Sequence, residues 1–448
     1  SRLERDYTLI HIARKPLKQF HKELVSDKAA YEKAWKDAKF NDWQAYFGNK
    51  DSAHLNPDRP TYGPWLYRGP ISEEMFIMER NPYFWQVDSA GNQLPYLDRI
   101  IHRLFGSIDV FNMWILNGEI DFQARHVATS NYTLFKEGEA KGGYRVLVGS
   151  AAAHHAISMN QGAKDPKIAE FFGSRDVRIA LNLCVNREEI NQMVYDGMAT
   201  PKQYSPLKSS PQYREKDATA YIQYDPKKAN ELLDKAGYDK RGPDGFRLWK
   251  DGSGTLSFII ESLDPPGSAN EQVTEMVIKY MADVGVKATR VYSERSLYES
   301  HSRENAHEAA DWTPDRTLLP IVAPFHWIAT IYQRPWAGKW GLWYINNTDP
   351  NGEPPPEGHF AWKIWEIWDK VKLEPDEKKR TELFYGILDI WAEEVPYLGI
   401  LGEVPALIIV KNGFRGYLAG YPVDDTTEDE QLLNPQTYYW EEPEKHTV

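Results

Sequence analysis

The sequence has a single cysteine, Cys184, so no disulfide can form within the chain. That suits a cytosolic protein, and equally a large exported one whose core needs no covalent staple, so the compartment stays open. No uninterrupted apolar stretch approaches the roughly 20 residues a membrane helix requires. Residues 397–410 come nearest, and they carry Glu403 and Pro405, which reads as strand. Basic charge is also short: 53 Lys and Arg against 65 Asp and Glu leave a net charge of −12. That is the wrong sign for a nucleic-acid binder, whose affinity rests on phosphate contacts. Catalytic signatures are missing as well: there is no G-x-S-x-G elbow, Walker A loop, H-E-x-x-H or paired C-x-x-C. Residues 239–245 and 349–353 lack the full acidic spacing of a calcium loop and read as turns.

What is present begins with size. At 448 residues the chain has material for roughly three domain-sized units or two large lobes, and ample for a sizeable core. It also has 16 tryptophans. Tryptophan joins a large apolar face to one N–H donor, which suits stacking on sugars, aromatic side chains or bases as well as filling a core.

Residues 15–48 read as helical, with Phe20, Leu24, Tyr31, Trp35 and Phe40 among charged positions. A turn-rich stretch, 56–65, separates them from strand-like segments at 75–79 and 99–105. Residues 109–116 are helical in pattern, and Asn117-Gly118-Glu119 ends them; residues 144–148 form a short β-type run. Val177, Ala180, Leu181 and Cys184 recur at i, i+3, i+4 and i+7, one face of a helix. Asn186 with Glu189 forms a capping box. Asp225-Pro226 gives an N-cap followed by proline at the first helical position, and Gly237 is placed to end that helix left-handed. A strand at 255–261, a helix at 269–284 closed by Gly285 and a strand at 287–292 follow. This β–α–β order argues for an α/β lobe. Residues 346–358 are a loop by composition, with amphipathic helices expected at 360–373 and 375–394.

Several segments carry more than secondary structure. They are Tyr62-Gly63-Pro64-Trp65 with Glu79-Arg80-Asn81-Pro82-Tyr83-Phe84-Trp85, Leu94-Pro95-Tyr96-Leu97-Asp98, and Leu116-Asn117-Gly118-Glu119-Ile120-Asp121. Asp176-Val177-Arg178 with Asn186-Arg187-Glu188-Glu189, and Tyr224-Asp225-Pro226-Lys227-Lys228-Ala229, continue the series. In this order the chain resembles the family 5 solute-binding proteins of ABC importers, which include oligopeptide and dipeptide binders. The resemblance implies an α/β, two-lobed periplasmic-binding-protein-like fold (type II, cluster C) with a hinge between lobes. Lobe I is expected at residues 1–152 and lobe II at 153–396, with a return segment to lobe I at 397–448 and crossings at 150–159 and 397–406. Family members begin with a substantial N-terminal portion, so lobe I is expected to be incomplete in this chain.

The function so implied is capture of a ligand between the lobes and delivery to an ABC importer permease, with no chemistry on the ligand. No cofactor, metal or nucleic-acid partner is expected. The resemblance implies a monomer outside the cytoplasm, either periplasmic or a cell-surface lipoprotein, with its signal sequence outside this chain. In peptide-binding members an acidic residue in a D-Y-N-D-P-like segment holds the peptide's α-amino group. Ala310-Asp311-Trp312-Thr313-Pro314-Asp315 matches that region, with Asp315 and Asp311 as rival candidates.

Trp312, Trp336, Trp343 and Tyr344 suit an aromatic-lined cleft, with Trp327 and Trp340 close by in sequence. Trp362, Trp365 and Trp368, beside Ile364, Ile367 and Val371, read as core packing. His154 and His155 lie at one crossing and point opposite ways if on a strand; either is a candidate ligand contact, as is Arg125. An oligopeptide is the favoured ligand. The alternatives are an oligosaccharide carried by the same transporter type, a receptor presenting ligand to a sensor, and a glycoside hydrolase. The last would need two carboxyls about 5 to 9.5 Å apart facing one bond.

Overall fold

The computed structural model describes residues 17–52, 55–59, 61–69, 73–312, 318–330, 336–417 and 434–446. They divide into two compact units. One holds the described residues up to Leu147 and from Leu407 on; the other runs from Val148 to Ala406. Among the described residues no helix is long and apolar enough to cross a membrane.

In the first unit the stretch read as one helix breaks into a 3-10 turn (Lys18–Phe20), α1 (Lys28–Asp37) and α2 (Trp43–Asp51). Lys39 takes a positive φ of 62°, and Asp42 caps α2 by accepting from the Ala45 N–H. The chain therefore turns where apolar spacing suggested continuity. β1 (Trp65–Tyr67), β2 (Met75–Arg80) and β3 (Arg99–Arg103) form an antiparallel sheet. Its buried face is Trp65, Tyr67, Phe76 and Met78, the period of two that a pleated strand imposes. α3 (Ile108–Leu116) stops at Gly118, whose φ is 70°. An added Cβ there would strike the Gly142 carbonyl, so only glycine fits. β4 (Phe122–Gln123), α4 (Tyr132–Gly142) and β5 (Tyr144–Ser150) complete this passage.

The second unit is built on a six-stranded sheet. β6 (His154–Met159), β7 (Thr200–Pro201), β8 (Ser257–Ser262), β9 (Lys287–Tyr292), β10 (Ala309–Asp311) and β11 (Tyr397–Gly402) take the order β7-β11-β6-β10-β8-β9. β8 runs parallel to both β9 and β10, while β6 is antiparallel to both its neighbours. One cluster packs Ile157, Met159, Phe258, Ile260 and Ala309 of the sheet against α5 (Pro166–Gly173), α6 (Arg175–Leu183), α7 (Arg187–Tyr195), α8 (Pro226–Lys235) and α9 (Ala269–Asp283). Asn186 and Asp225 cap α7 and α8 as their sequences specify. α10 (Arg295–Arg303) links β9 to β10. A second cluster holds Ala156, Tyr204, Trp327, Trp336, Trp340, Trp365 and Trp391, built largely from α11 (Gly338–Ile345), α12 (Phe360–Leu373) and α13 (Glu377–Glu394).

The chain then returns to the first unit through β12 (Pro405–Lys411), followed by β13 (Phe414–Arg415) and β14 (Tyr439–Trp440). β12 lies between β4 and β5. Leu407 and Ile409 pack in one cluster and Ile408 and Val410 in another, so this strand is buried on both faces.

Candidate functional site

In open α/β sheets the C-terminal ends of parallel strands are the common seat of ligand-binding side chains. In the second unit those ends are Tyr292 of β9, Ser262 of β8 and Asp311 of β10, with Ser262 the register partner of both others. The Asp311 side chain is buried, at 3% exposure. Thr274 of α9 donates its hydroxyl to the Asp311 carboxyl. Burial and the negative charge of Asp264, just past β8, push Asp311 up to about 7, against the pull of the Thr274 hydroxyl and the Arg290 guanidinium. Arg290 is already committed: it donates to Glu271 at 3.0 Å, to the Ser262 hydroxyl at 3.3 Å and to the Asp264 carbonyl.

His155 joins this cluster from β6, two residues from Ile157, the register partner of Asp311. Its Nε2 lies 2.6 Å from the Tyr195 hydroxyl of α7. Burial drives His155 down to about 4, so its ring is neutral near pH 7. Burial, then Asp264 and Asp311, raise Tyr195. The group thus contains a carboxyl that is buried without full charge compensation. Such a site gains free energy when a cationic group arrives beside it.

On the opposite face of β8, the Glu261 carboxylate meets His301 of α10 and His307, which precedes β10. This is the one group of three potential metal ligands among the described residues.

The residues singled out in the sequence separate in the structure. Asp311 and His155 lie near the same strand ends, linked through Tyr195, which bonds His155 and feels the charge of Asp311. His154 points to the other face, 5.1 Å from Tyr204, as adjacent residues on a strand must. Burial drives its pKa well below the ordinary value, with Lys202 adding to the effect. Trp312 meets Tyr298 edge-on at 5.6 Å, with the Arg295 guanidinium 5.2 Å from its ring. Asp315 lies outside the described residues. Trp336 is in the aromatic core: it stacks on Phe360 at 5.3 Å and donates to the His326 carbonyl at 2.9 Å.

Tyr344 stacks on Trp365 at 4.5 Å, and Trp343 meets Trp362 edge-on at 5.4 Å. Trp343 and Tyr344 also line a shallow surface hollow with Ile345, Asn346 and Asn347. Arg125 is an exposed residue of the first unit. Sequence reasoning missed Tyr195, Thr274, Asp264 and Arg290. Of these only Asp264, an acid in the turn directly after a strand, left a local signal.

Residues 11–315 match the family described as bacterial extracellular solute-binding proteins, family 5 Middle. A periplasmic alpha-galactoside-binding protein from Rhizobium meliloti (strain 1021) is 23% identical over 384 residues, covering 81% of this chain and 53% of its own length. The chain spans about half the length or less of the first curated relatives it matches. Among solved structures, an oligopeptide-binding protein, OppA, has 31% identity and a TM-score of 0.68, covering 96% of this chain and 70% of that one. The periplasmic binding protein MelB from agrobacterium fabrum C58, in complex with stachyose, has a TM-score of 0.70 at 17% identity. That likeness covers 95% of this chain and 62% of MelB, and it is a likeness of fold.

Proposed function

The chain belongs to family 5 of the bacterial extracellular solute-binding proteins, and from that premise we propose that it captures an oligopeptide and delivers it unchanged to an ABC importer permease. Asp311 carries the reading. It ends β10 in the segment where peptide-binding relatives are expected to hold the ligand's α-amino group, and its carboxyl is pushed up to about 7 by burial and the charge of Asp264. An α-ammonium group beside it would offset both, and truncating one partner of such a buried pair costs about 2–5 kcal/mol. The protein acts outside the cytoplasm, as a periplasmic or surface-anchored monomer, with no nucleic-acid partner and no reaction performed on the ligand.

Calorimetric titration with matched peptides tests this. A free-amine peptide binds, while its N-acetylated form, or the Asp311→Asn variant, binds at least about thirtyfold more weakly. Equal affinity for free and acetylated peptides would refute the assignment of Asp311.

An oligosaccharide ligand is the second reading. It draws support from the alpha-galactoside-binding relative and from the stachyose complex of MelB. The ring cluster of Trp343, Tyr344 and Trp362, with Trp362 39% exposed, adds a surface suited to sugar faces. Saturable binding of stachyose with silence toward peptides selects it.

A further inference from the structure

We propose that Glu261, His301 and His307 form a binding site for a divalent transition-metal ion of the zinc class, independent of the ligand reading above. The three residues come from three local structures that the fold brings together: the penultimate position of β8, the last turn of α10 and the connection into β10. His301 Nδ1 lies 2.9 Å and 3.1 Å from the two carboxylate oxygens, and His307 Nε2 lies 3.1 Å from Oε2. All three ligand atoms lie within 4.8 Å of one another. A tetrahedral ion about 2.1 Å from each ligand asks for separations of about 3.4 Å, so a small rotation of the outermost ring completes the set.

The His307 contact is the informative one. Its ring is fully buried, and despite the 3.1 Å separation Nε2 has no hydrogen-bond partner, because the oxygen lies off the N–H axis. The other ring nitrogen, Nδ1, faces the Ser302 hydroxyl at 3.5 Å. That hydroxyl already donates its proton to the Tyr298 carbonyl at 2.8 Å. With the ring proton on Nδ1, Nε2 presents its lone pair toward the carboxylate, the tautomer in which His307 can ligate a metal.

Glu261 is held ready for that role: its two carboxylate oxygens face His301 Nδ1 and His307 Nε2. Ser302 stands behind His307 at Nδ1, as outer-shell groups do in metal sites. Two imidazoles and one carboxylate suit zinc, nickel or cobalt better than calcium or magnesium, and three protein ligands leave a fourth position open. Access is through His301, whose side chain is 36% exposed against 10% for Glu261 and 0% for His307. The ion would clamp α10 and the strand entry at His307 onto β8, in a chain whose single cysteine offers no disulfide.

The full chain, free of any affinity tag, stripped with a chelator and dialysed, is titrated with Zn²⁺ by calorimetry and with Co²⁺ by visible absorption. Expected are one saturable equivalent of Zn²⁺ and the intense visible band of tetrahedral Co²⁺. His301→Gln, on the accessible ring, should keep a cooperative melt, weaken Zn²⁺ at least about tenfold and abolish the Co²⁺ band. Glu261→Gln should do the same, and the buried His307→Gln is read only beside them. A wild-type chain without a saturable equivalent, or a folded His301→Gln that binds like wild type, overturns the proposal. Peptide titration of His301→Gln should match wild type, so a failed metal site and a failed ligand reading are told apart.

Discussion

Replacing Asp311 by asparagine should make the protein more stable at neutral and alkaline pH, although it removes a buried, hydrogen-bonded group. In the folded protein burial and the charge of Asp264 raise Asp311 from its ordinary 3.8 to about 7. Between those two values the folded state keeps a proton that the unfolded chain has released. Stability therefore falls with rising pH by about 1.4 kcal/mol per unit over this window. The contribution is fully present below about pH 4 and is lost once pH passes 7, a total on the order of 4 kcal/mol. Asparagine keeps an oxygen for the Thr274 hydroxyl and never ionises, so it avoids that loss. Thermal melts of both proteins at pH 4, 6 and 8 are the assay. The variant should gain about 2–4 kcal/mol at pH 8, or roughly 5–10 °C in Tm for a unit of this size, with the gap closing to under about 1 kcal/mol at pH 4. A gap that is absent at pH 8, or equally large at both extremes, would refute the account of Asp311 as an under-compensated buried carboxyl. On the proposed peptide reading, the same linkage makes capture near pH 6.5 release protons, detectable as a buffer-dependent binding enthalpy.

Three further outcomes follow from the same structure. Burial lowers His155 to about 4, so the unfolded chain takes up a proton between pH 6.5 and 4 that the folded state refuses. Stability should drop by about 3 kcal/mol across that range, and His155→Gln should flatten this acid limb in a pH series of melts. Arg187 is buried and donates to the carbonyls of Gly399, Asn182 and Ile222 at 2.8, 2.8 and 3.0 Å. Arg187→Met strands these acceptors, and urea unfolding should register a loss of about 3–5 kcal/mol. Trp336→Ala opens a cavity in the aromatic core and should cost about 3–5 kcal/mol while leaving ligand affinity unchanged. A large affinity loss in a variant that still folds would move Trp336 from the core to the ligand.

The legible parts of this fold were those written in neighbouring residues. Asn186 with Glu189, Asp225 with Pro226, and Gly237 and Gly285 mark helix ends through contacts within one turn, and each occupies its expected place. Gly237 and Gly285 have φ of 92° and 81°. The tryptophans were harder, because burial is decided by partners distant in sequence. Trp391 donates to the Trp327 carbonyl and Trp365 to the Ile328 carbonyl, 64 and 37 residues away. These contacts draw Trp327, Trp336 and Trp340 into a helical core instead of leaving them along a cleft. Trp365 is buried in the core as its spacing predicts, whereas Trp362 is 39% exposed and donates to the carbonyls of Pro355 and Pro356. His301 and Glu261, 40 residues apart, carry no local pattern at all. Their meeting depends on β8 and α10 being stacked by the sheet.

The nesting of one unit inside the other bears on the order in which the chain can fold. The second unit is one continuous stretch of roughly 260 residues, Val148 to Ala406, whereas the first needs β12 to reach its place between β4 and β5. As an unstructured loop, that stretch would cost the first unit about 4 kcal/mol more in closure entropy than a four-residue turn. Once folded, it presents its two ends side by side: the Ala151 N–H donates to the Val404 carbonyl at 2.8 Å. The inserted unit then acts on its host as a short hairpin would. Assembly should therefore proceed from the inside outward, and damage confined to β6 or β11 should delay the host's sheet without touching a single one of its own contacts.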